Sequence, residues 1–267
     1  MEKTKKQQTE EKFHDSYANK TKLSEVNVNE NFSFAAQENR YAQKIFGDLK
    51  GKSILDLGCG FGETAVYWAK KGANVEAIDI SSASISLAKK LARKHGVTKK
   101  CHFQTMTAEN LKFKKEQFDY IFGNGVLHHI DLKKSAPEIH RVLKKSGKAI
   151  FIEPLAYNPV INVYRYIAKE ARTPTEKPLT FQQINMLKKN FSRVRHREFE
   201  MLTLLIFLWF YLASRMNPNK LRYWRMILRT RGTTRKVLQA LIFADNIFLK
   251  IPLSGYLCWN TVVIVEK

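Results

Sequence analysis

Acidic residues are scarce in this sequence. There are 24 Asp+Glu against 46 Lys+Arg, a formal net charge of +22 over 267 residues. Such an imbalance points to an anionic partner: nucleic acid, an anionic membrane surface or an acidic substrate. The plainer alternative is a solvated basic face. Cysteine is scarce too. Cys59, Cys101 and Cys258 are odd in number and lack metal-ligand spacing, which excludes a disulfide framework and fits a reducing compartment. No apolar run reaches the ~20 residues of a bilayer span. The longest, Met201 to Ala213, is too short to cross. The N-terminus is polar and charged, without a secretory pattern. The expected location is cytoplasmic, at most peripheral at the inner face of a membrane. With 44% hydrophobic residues the chain can bury one good core.

What is present is organised around Ser53-Ile54-Leu55-Asp56-Leu57-Gly58-Cys59-Gly60-Phe61-Gly62. A β-type run drops into three glycines spaced two apart, and a helical pattern follows at once. Strand, glycine loop and helix open a nucleotide-binding α/β unit, with loop amides facing the ligand. A dinucleotide fingerprint needs glycine at position 63, where this chain has Glu63. An acid there repels a pyrophosphate and favours a cation. Asp79 closes the next apolar run about 20 residues on, where an acid suits ribose hydroxyls.

The remaining pattern alternates. Strands are predicted at 53–57, 74–79, 101–106, 118–122 and 148–153, with helices near 62–71, 82–95 and 135–143 between them. Five strands with helical crossovers argue for a parallel sheet covered on both faces. Residues 1–33 read as a polar tail, mobile or lightly docked. Residues 34–48 read as an amphipathic helix leading into the first strand. Residues 194–199 and 259–266 read as late strands.

The stretch ILDLGCGFGETAVYWAKKGANVEAIDIS resembles the cofactor region of class I S-adenosylmethionine-dependent methyltransferases. The resemblance implies an α/β, Rossmann-like, seven-stranded sheet: five parallel strands plus a terminal antiparallel pair, with helices on both faces. The domain then runs over 34–267, with a helical lid at 155–192 and an apolar-basic insertion at 200–258 before the last strand. It implies that Gly58, Cys59, Gly60 and Gly62 form the cofactor loop and that Asp56 and Glu63 stand near the methionyl ammonium. Asp79 takes the ribose, and Ile80, Ala108 and Glu109 surround the adenine. Asn124 and Gly125 line the methionine end.

Within 123–130, GNGVLHHI, only one of two adjacent histidines is expected to point inward. His129 is the candidate general base, since imidazole titrates near neutrality, and His128 a candidate substrate contact. Both being structural is the alternative. The pair lacks further ligand spacing, so no metal is expected. Glu153 ends the fifth predicted strand at the active-site rim, and Tyr157, Asn158, Arg165 and Arg172 fall in the following segment, which resembles a signature of a bacterial and archaeal subgroup related to the ubiquinone/menaquinone methylases. They are candidate substrate residues; Arg172 and Glu176 pairing only with each other is the alternative.

From Met201 to Ala244 there is no acid, while Arg215, Lys220, Arg222, Arg225, Arg229, Arg231, Arg235 and Lys236 fall there. Basic residues interleaved with Trp, Tyr and Leu suit an anionic headgroup layer. A plain lid and a nucleic-acid surface are the competing readings. The expected activity is methyl transfer from S-adenosylmethionine to a small or lipid-like acceptor. A nucleic-acid methyltransferase and a non-catalytic, cofactor-binding, membrane-associated partner protein are the alternatives.

Overall fold

The computed structural model describes residues 3–267, so residues 1 and 2 of the expected tail lie outside the described residues. Seven strands form one sheet: β1 Ser53–Leu57, β2 Asn74–Asp79, β3 Cys101–Thr105, β4 Phe118–Asn124, β5 Leu143–Pro154, β6 Arg193–Phe199 and β7 Asn260–Glu266. Their order is β3-β2-β1-β4-β5-β7-β6. The first five pair in parallel, and β7 runs antiparallel to both β5 and β6. This is the seven-stranded sheet, five parallel strands and a terminal antiparallel pair, that the resemblance implied.

The central strands are apolar on both faces, as a sheet sandwiched between helices requires. Alternation splits them between two cores. Ile54, Ala77, Phe122, Ile150, Val262 and Ile264 face one side, where α3 Glu63–Lys70 and α4 Ser82–Lys94 contribute Trp68, Ala88 and Leu91. Leu55, Leu57, Ile121, Phe151, Val263 and Val265 face the other, with α5 Leu132–Val142 and α7 Phe181–Met186. Helix α5 starts three residues earlier than the pattern predicts because Asp131 accepts a hydrogen bond from Lys133 N and caps it.

The N-terminal segment departs from its expected state. It forms α1, Lys5–Lys20, opened by a capping box between Thr4 and Gln7, and packs against α4. Asp15 fixes the contact by accepting from Ser81 Oγ at 2.6 Å and from Ala83 N at 3.1 Å. Only Glu10 and Ala18 of this helix are buried. It docks through polar groups and therefore carries no apolar stripe for periodicity to detect. Helix α2, Gln37–Phe46, follows and leads into β1.

After β5 the chain forms α6, Pro159–Ile167, capped by Asn158. Between β6 and β7 lie α8 Leu205–Leu208, a single π turn at Trp209–Ala213, α9 Tyr223–Leu228 and α10 Gly232–Phe248. This insertion has its own core of Leu204, Ile206, Phe207, Phe210, Tyr223, Ile227 and Leu238, joined by Ile161 of α6. Asp245, the acid that ends the acid-free stretch, is buried. It accepts from the backbone of Met201, Leu202 and Thr203 and from the Thr203 hydroxyl. It thus satisfies amides at the start of the apolar run that have no partner within their own helix. Among the described residues no helix is long and apolar enough to cross a membrane.

Candidate active site

The strand order reverses direction between β1 and β4, and ligands in open α/β sheets bind at the carboxyl ends of strands beside that switch point. A cavity of about 510 Å³ lies there. Gly58, Cys59, Gly60, Glu63, Asp79, Ile80, Ala108, Glu109, Asn124 and Gly125 all border it. Gly60 has φ +53° and open space where a Cβ would stand, so a ligand can approach its backbone. Gly62 has φ +84°, and a Cβ there would come within 2.8 Å of Ala88 Cβ; it serves helix packing and does not border the cavity.

Asp79 is held from both sides. Its carboxylate accepts from Gly60 N at 2.9 Å and from Ser81 N at 2.9 Å. Burial raises its pKa, as it raises that of Glu63. Asp56 requires a correction. It is 1% exposed, does not reach the cavity wall, and accepts from Thr64 Oγ1 at 2.6 Å. Burial pushes its pKa up to about 7, with the charges of Asp79 and Glu63 adding to the rise and the Thr64 hydrogen bond opposing it. It supports the wall from behind. Three carboxyl groups around a glycine loop fit a cationic ligand and oppose a pyrophosphate.

The turn after β4 presents both histidines to the cavity, against the expectation of one. Their rings lie 4.0 Å apart. His128 is 8% exposed, and its Nδ1 stands 2.7 Å from Glu153 Oε2. Burial lowers its pKa, as does the charge of His129, so it is neutral near pH 7 and donates to Glu153. Glu153 also accepts from Val126 N at 2.9 Å and Leu127 N at 2.8 Å. It is fully buried behind the turn. As a substrate contact Glu153 is therefore corrected: its oxygens hold the turn. Tyr157 and Asn158 are corrected likewise. Tyr157 stacks on Phe181 and accepts from Phe181 N, and Asn158 caps α6 and donates to Leu257 O. Neither borders the cavity.

His129 faces the lid helix. Its Nδ1 is 3.1 Å from Glu10 Oε2. Thr173 and Thr175 hydroxyls donate to the other Glu10 oxygen. Burial alone would raise the Glu10 pKa; the His129 contact and the two threonines outweigh it and hold the pKa at about 2. His14, one turn on, is 3.7 Å from Glu10. Ligand atoms of Glu10, His14 and His129 lie within 4.8 Å of one another, as do those of His128, His129 and Glu176. Two adjacent histidines thus acquire three further partners, Glu10, His14 and Glu176, from two distant segments, a spacing absent from the sequence itself.

Arg165 and Arg172 border the cavity, and Arg172 forms a two-point pair with Glu176 at 3.2 and 3.0 Å. Four groups went unseen in the sequence reading: Glu10 with His14, the Tyr17 ring stacked on Phe61, the buried pair Glu38 and Glu200, and Arg222 with Arg225 as cavity residues. Glu38 and Glu200 both receive Asn260 Nδ2, at 3.0 and 2.8 Å, and burial raises both pKa values. Glu200 sits at φ +63°, a left-handed conformation that a β-carbon makes costly. The Thr4-Lys5-Lys6-Gln7 pattern was a usable signal for α1, since S/T-x-x-E/Q marks helix starts.

Residues 55–151 match the family model described as a methyltransferase domain. An uncharacterized methyltransferase, YcgJ, from Bacillus subtilis is 30% identical over 124 residues, 46% of this chain and 49% of the relative. The ubiquinone biosynthesis O-methyltransferase of Bordetella avium is 29% identical over 133 residues, 49% of this chain and 54% of the relative. The chain spans about half the length of the curated relatives it matches. In fold, the crystal structure of the Bacillus YcgJ protein superposes with a TM-score of 0.55 over 87% of this chain and 99% of that one, at 19% identity. Geranyl diphosphate C-methyltransferase from Streptomyces coelicolor A3(2), solved with Mg²⁺, geranyl diphosphate and S-adenosyl-L-homocysteine, gives 0.55 over 86% of this chain and 80% of that one, at 15% identity. These two likenesses show the shared fold.

Proposed function

We propose that the chain is a class I S-adenosylmethionine-dependent methyltransferase related to the ubiquinone methylases, and that it methylates a small, lipid-like acceptor at an anionic membrane surface. One observation carries the reading. The glycine loop, Asp79, the Ala108-Glu109 segment and His129 come from four different strand ends and share one cavity under a lid. Gly60, Glu63 and Asp79 would hold the methionyl and ribose parts, and Ile80, Ala108 and Glu109 the adenine.

The bound cofactor supplies an electrophilic methyl on a sulfonium. The protein's tasks are positioning, exclusion of water and removal of one proton from the acceptor. His129 is the proposed base. With Nδ1 turned to the Glu10 carboxylate, its other nitrogen, Nε2, is the atom free to take that proton. Glu10 Oε2 lies within ion-pair distance of Nδ1 without hydrogen-bond geometry, so it orients the ring through its charge. Helix α1 closes the cavity from above through Gln7, Glu10, Phe13, His14 and Tyr17.

The membrane part rests on the insertion. Of the 16 exposed large hydrophobic residues among the described ones, all but Val163 and Tyr166 lie between Leu205 and Leu257. The same lobe lacks acids from Met201 to Ala244. An apolar face beside a basic one fits an anionic interface. Calorimetry with S-adenosylhomocysteine tests the cofactor. Membrane extracts incubated with the protein and methyl-labelled cofactor test the acceptor: label should enter the lipid fraction. Absence of cofactor binding would overturn the reading, and label in RNA would redirect it to nucleic acid.

A further inference from the structure

The cavity holds two kinds of charge at two ends. At the glycine loop stand Glu63 and Asp79. Away from it stand Arg165, Arg172 and Arg222, from α6, from the loop after it and from the start of α9. Resting on the methyl-transfer reading above, we propose that Arg165, Arg172 and Arg222 bind an oxyanion, a phosphate or carboxylate, carried by the acceptor.

The charge balance motivates this. Arg172 is neutralised by Glu176. Arg165 is not neutralised: its Nη1 donates to Leu155 O at 2.9 Å and Asn162 Oδ1 at 2.8 Å, both uncharged. Its Nη2 is buried without any partner, and the residue is 8% exposed. A buried guanidinium with an idle donor and no ion-pair partner is costly to keep; the charge of Glu176, already paired with Arg172, offsets only part of that cost, and a bound anion removes the rest. Burial, with the charge of Arg172 beside it, lowers the Arg165 pKa to about 10, so it remains a cation at neutral pH.

Arg222 adds a second unpaired charge. Its guanidinium lies over the Tyr17 ring at 3.9 Å and makes no side-chain hydrogen bond or ion pair among the described residues. Stacking leaves the edge of the fork free to meet an oxyanion in two-point fashion. The nearby acids are engaged or neutral. Glu10 is taken by His129, Thr173 and Thr175, and burial favours the protonated forms of Glu38 and Glu200. Arg225 is set apart because its charge acts on Glu63, at the cofactor end.

The test is calorimetry on the full chain, with and without saturating S-adenosylhomocysteine, using inorganic pyrophosphate, octyl phosphate, octanoate and, as a control, octylamine. One anion per chain should bind. Arg172→Gln and Arg222→Gln should each weaken it about tenfold or more, as expected for loss of a charge-assisted bond. Their melting temperatures and S-adenosylhomocysteine affinities should stay near those of the parent. Octyl phosphate binding with octanoate silent assigns a phosphate, and the converse a carboxylate. Binding of neither, or binding indifferent to both substitutions, overturns the proposal. So does a parallel loss of S-adenosylhomocysteine affinity, which would assign these arginines to the cofactor's own carboxylate. If S-adenosylhomocysteine fails to bind the parent while the anion binds through Arg172 and Arg222, the anion site stands and the methyl-transfer reading falls.

Discussion

Glu10 of the first helix and His129 after the fourth strand meet at 3.1 Å across the roof of the cavity. One contact thereby joins the lid to the proposed base. The lid cannot lift without separating this charge pair and exposing more of His129 to water. Thr173 and Thr175 tie the same carboxylate to the rim loop, so lid, rim and base form one unit.

Glu10→Gln should loosen that unit. The change removes a charge-assisted contact and keeps the threonine donors, so the loss is about 1–3 kcal/mol of lid stability. Hydrogen exchange of residues 5–20 should accelerate, and S-adenosylhomocysteine should dissociate faster. The pH dependence has a fixed sign. A carboxyl held at about 2 contributes stability above the ordinary carboxyl range, and that stability is lost as pH falls toward 2. Unaltered exchange in Glu10→Gln would mean that α1 is held by other contacts, such as Asp15 with Ser81.

Asp79→Ala should lower S-adenosylhomocysteine affinity by about 1.5–3 kcal/mol, the value of hydrogen bonds to a charged acceptor. The carboxylate is already pinned by Gly60 N and Ser81 N, so it is preorganised for a ligand's hydroxyls. Calorimetry decides it. Equal affinity in the variant would remove Asp79 from the site.

Asp56 makes the opposite pH prediction to Glu10. Its folded pKa is raised to about 7 from an ordinary carboxyl value. Its stabilising contribution is therefore fully present below the ordinary carboxyl pKa and is lost as pH rises through about 7. Cofactor-free protein should melt at progressively lower temperature over that window, and Asp56→Asn should flatten the slope. Thr64 retains an acceptor in that variant, so the fold should survive. An unchanged slope would place the titration in Glu38 and Glu200 instead.

The two histidines should separate. His128→Gln should lower the melting temperature, because His128 and Glu153 lock the turn after β4. His129→Gln should loosen α1 about as much as Glu10→Gln does and should, beyond that shared effect, cut turnover by ~10²–10⁴. Once an acceptor is in hand, full turnover in His129→Gln would deny it the role of base.

Local pattern made the sheet legible. β1, β2 and β7 are short apolar runs bounded by turn residues, and the glycine loop with Asp79 lies within one strand–helix–strand unit. The roof was not legible. Glu10, His14 and Tyr17 belong to a polar helix whose docking depends on ion pairs and hydrogen bonds to residues 66 to 165 positions away, such as Ser81 and Thr175. Such contacts leave no periodic trace. Glu153 misled for a related reason: a carboxylate at a strand end reads the same whether it faces a ligand or caps a turn behind it. Asp56, in the middle of the motif, likewise gave no sign that its side chain stops short of the cavity wall and pairs with Thr64.

The insertion carries the last prediction, that the protein binds anionic vesicles. Four residues of the 201–213 run are spent on folding: Leu204, Ile206, Phe207 and Phe210 fill the lobe's own core. Leu205, Leu208, Trp209, Tyr211 and Leu212, with the outer face of α10 and the segment after it, stay outside. Leu212 is 69%, Phe243 69% and Leu253 79% exposed. A buried lid would hide such side chains. Each buried CH₂ contributes ~0.8 kcal/mol and each basic residue near an anionic leaflet about 1 kcal/mol. Only the second contribution is screened by salt, so binding should weaken at high ionic strength without vanishing. Flotation with anionic and neutral liposomes at low and high salt measures both. Leu212→Glu with Phe243→Glu should weaken what salt leaves, while Arg231→Gln with Arg235→Gln should lower what salt removes by about 2 kcal/mol. If the parent stays in solution with anionic vesicles at low salt, the exposed face serves another partner and the acceptor must reach the cavity through water.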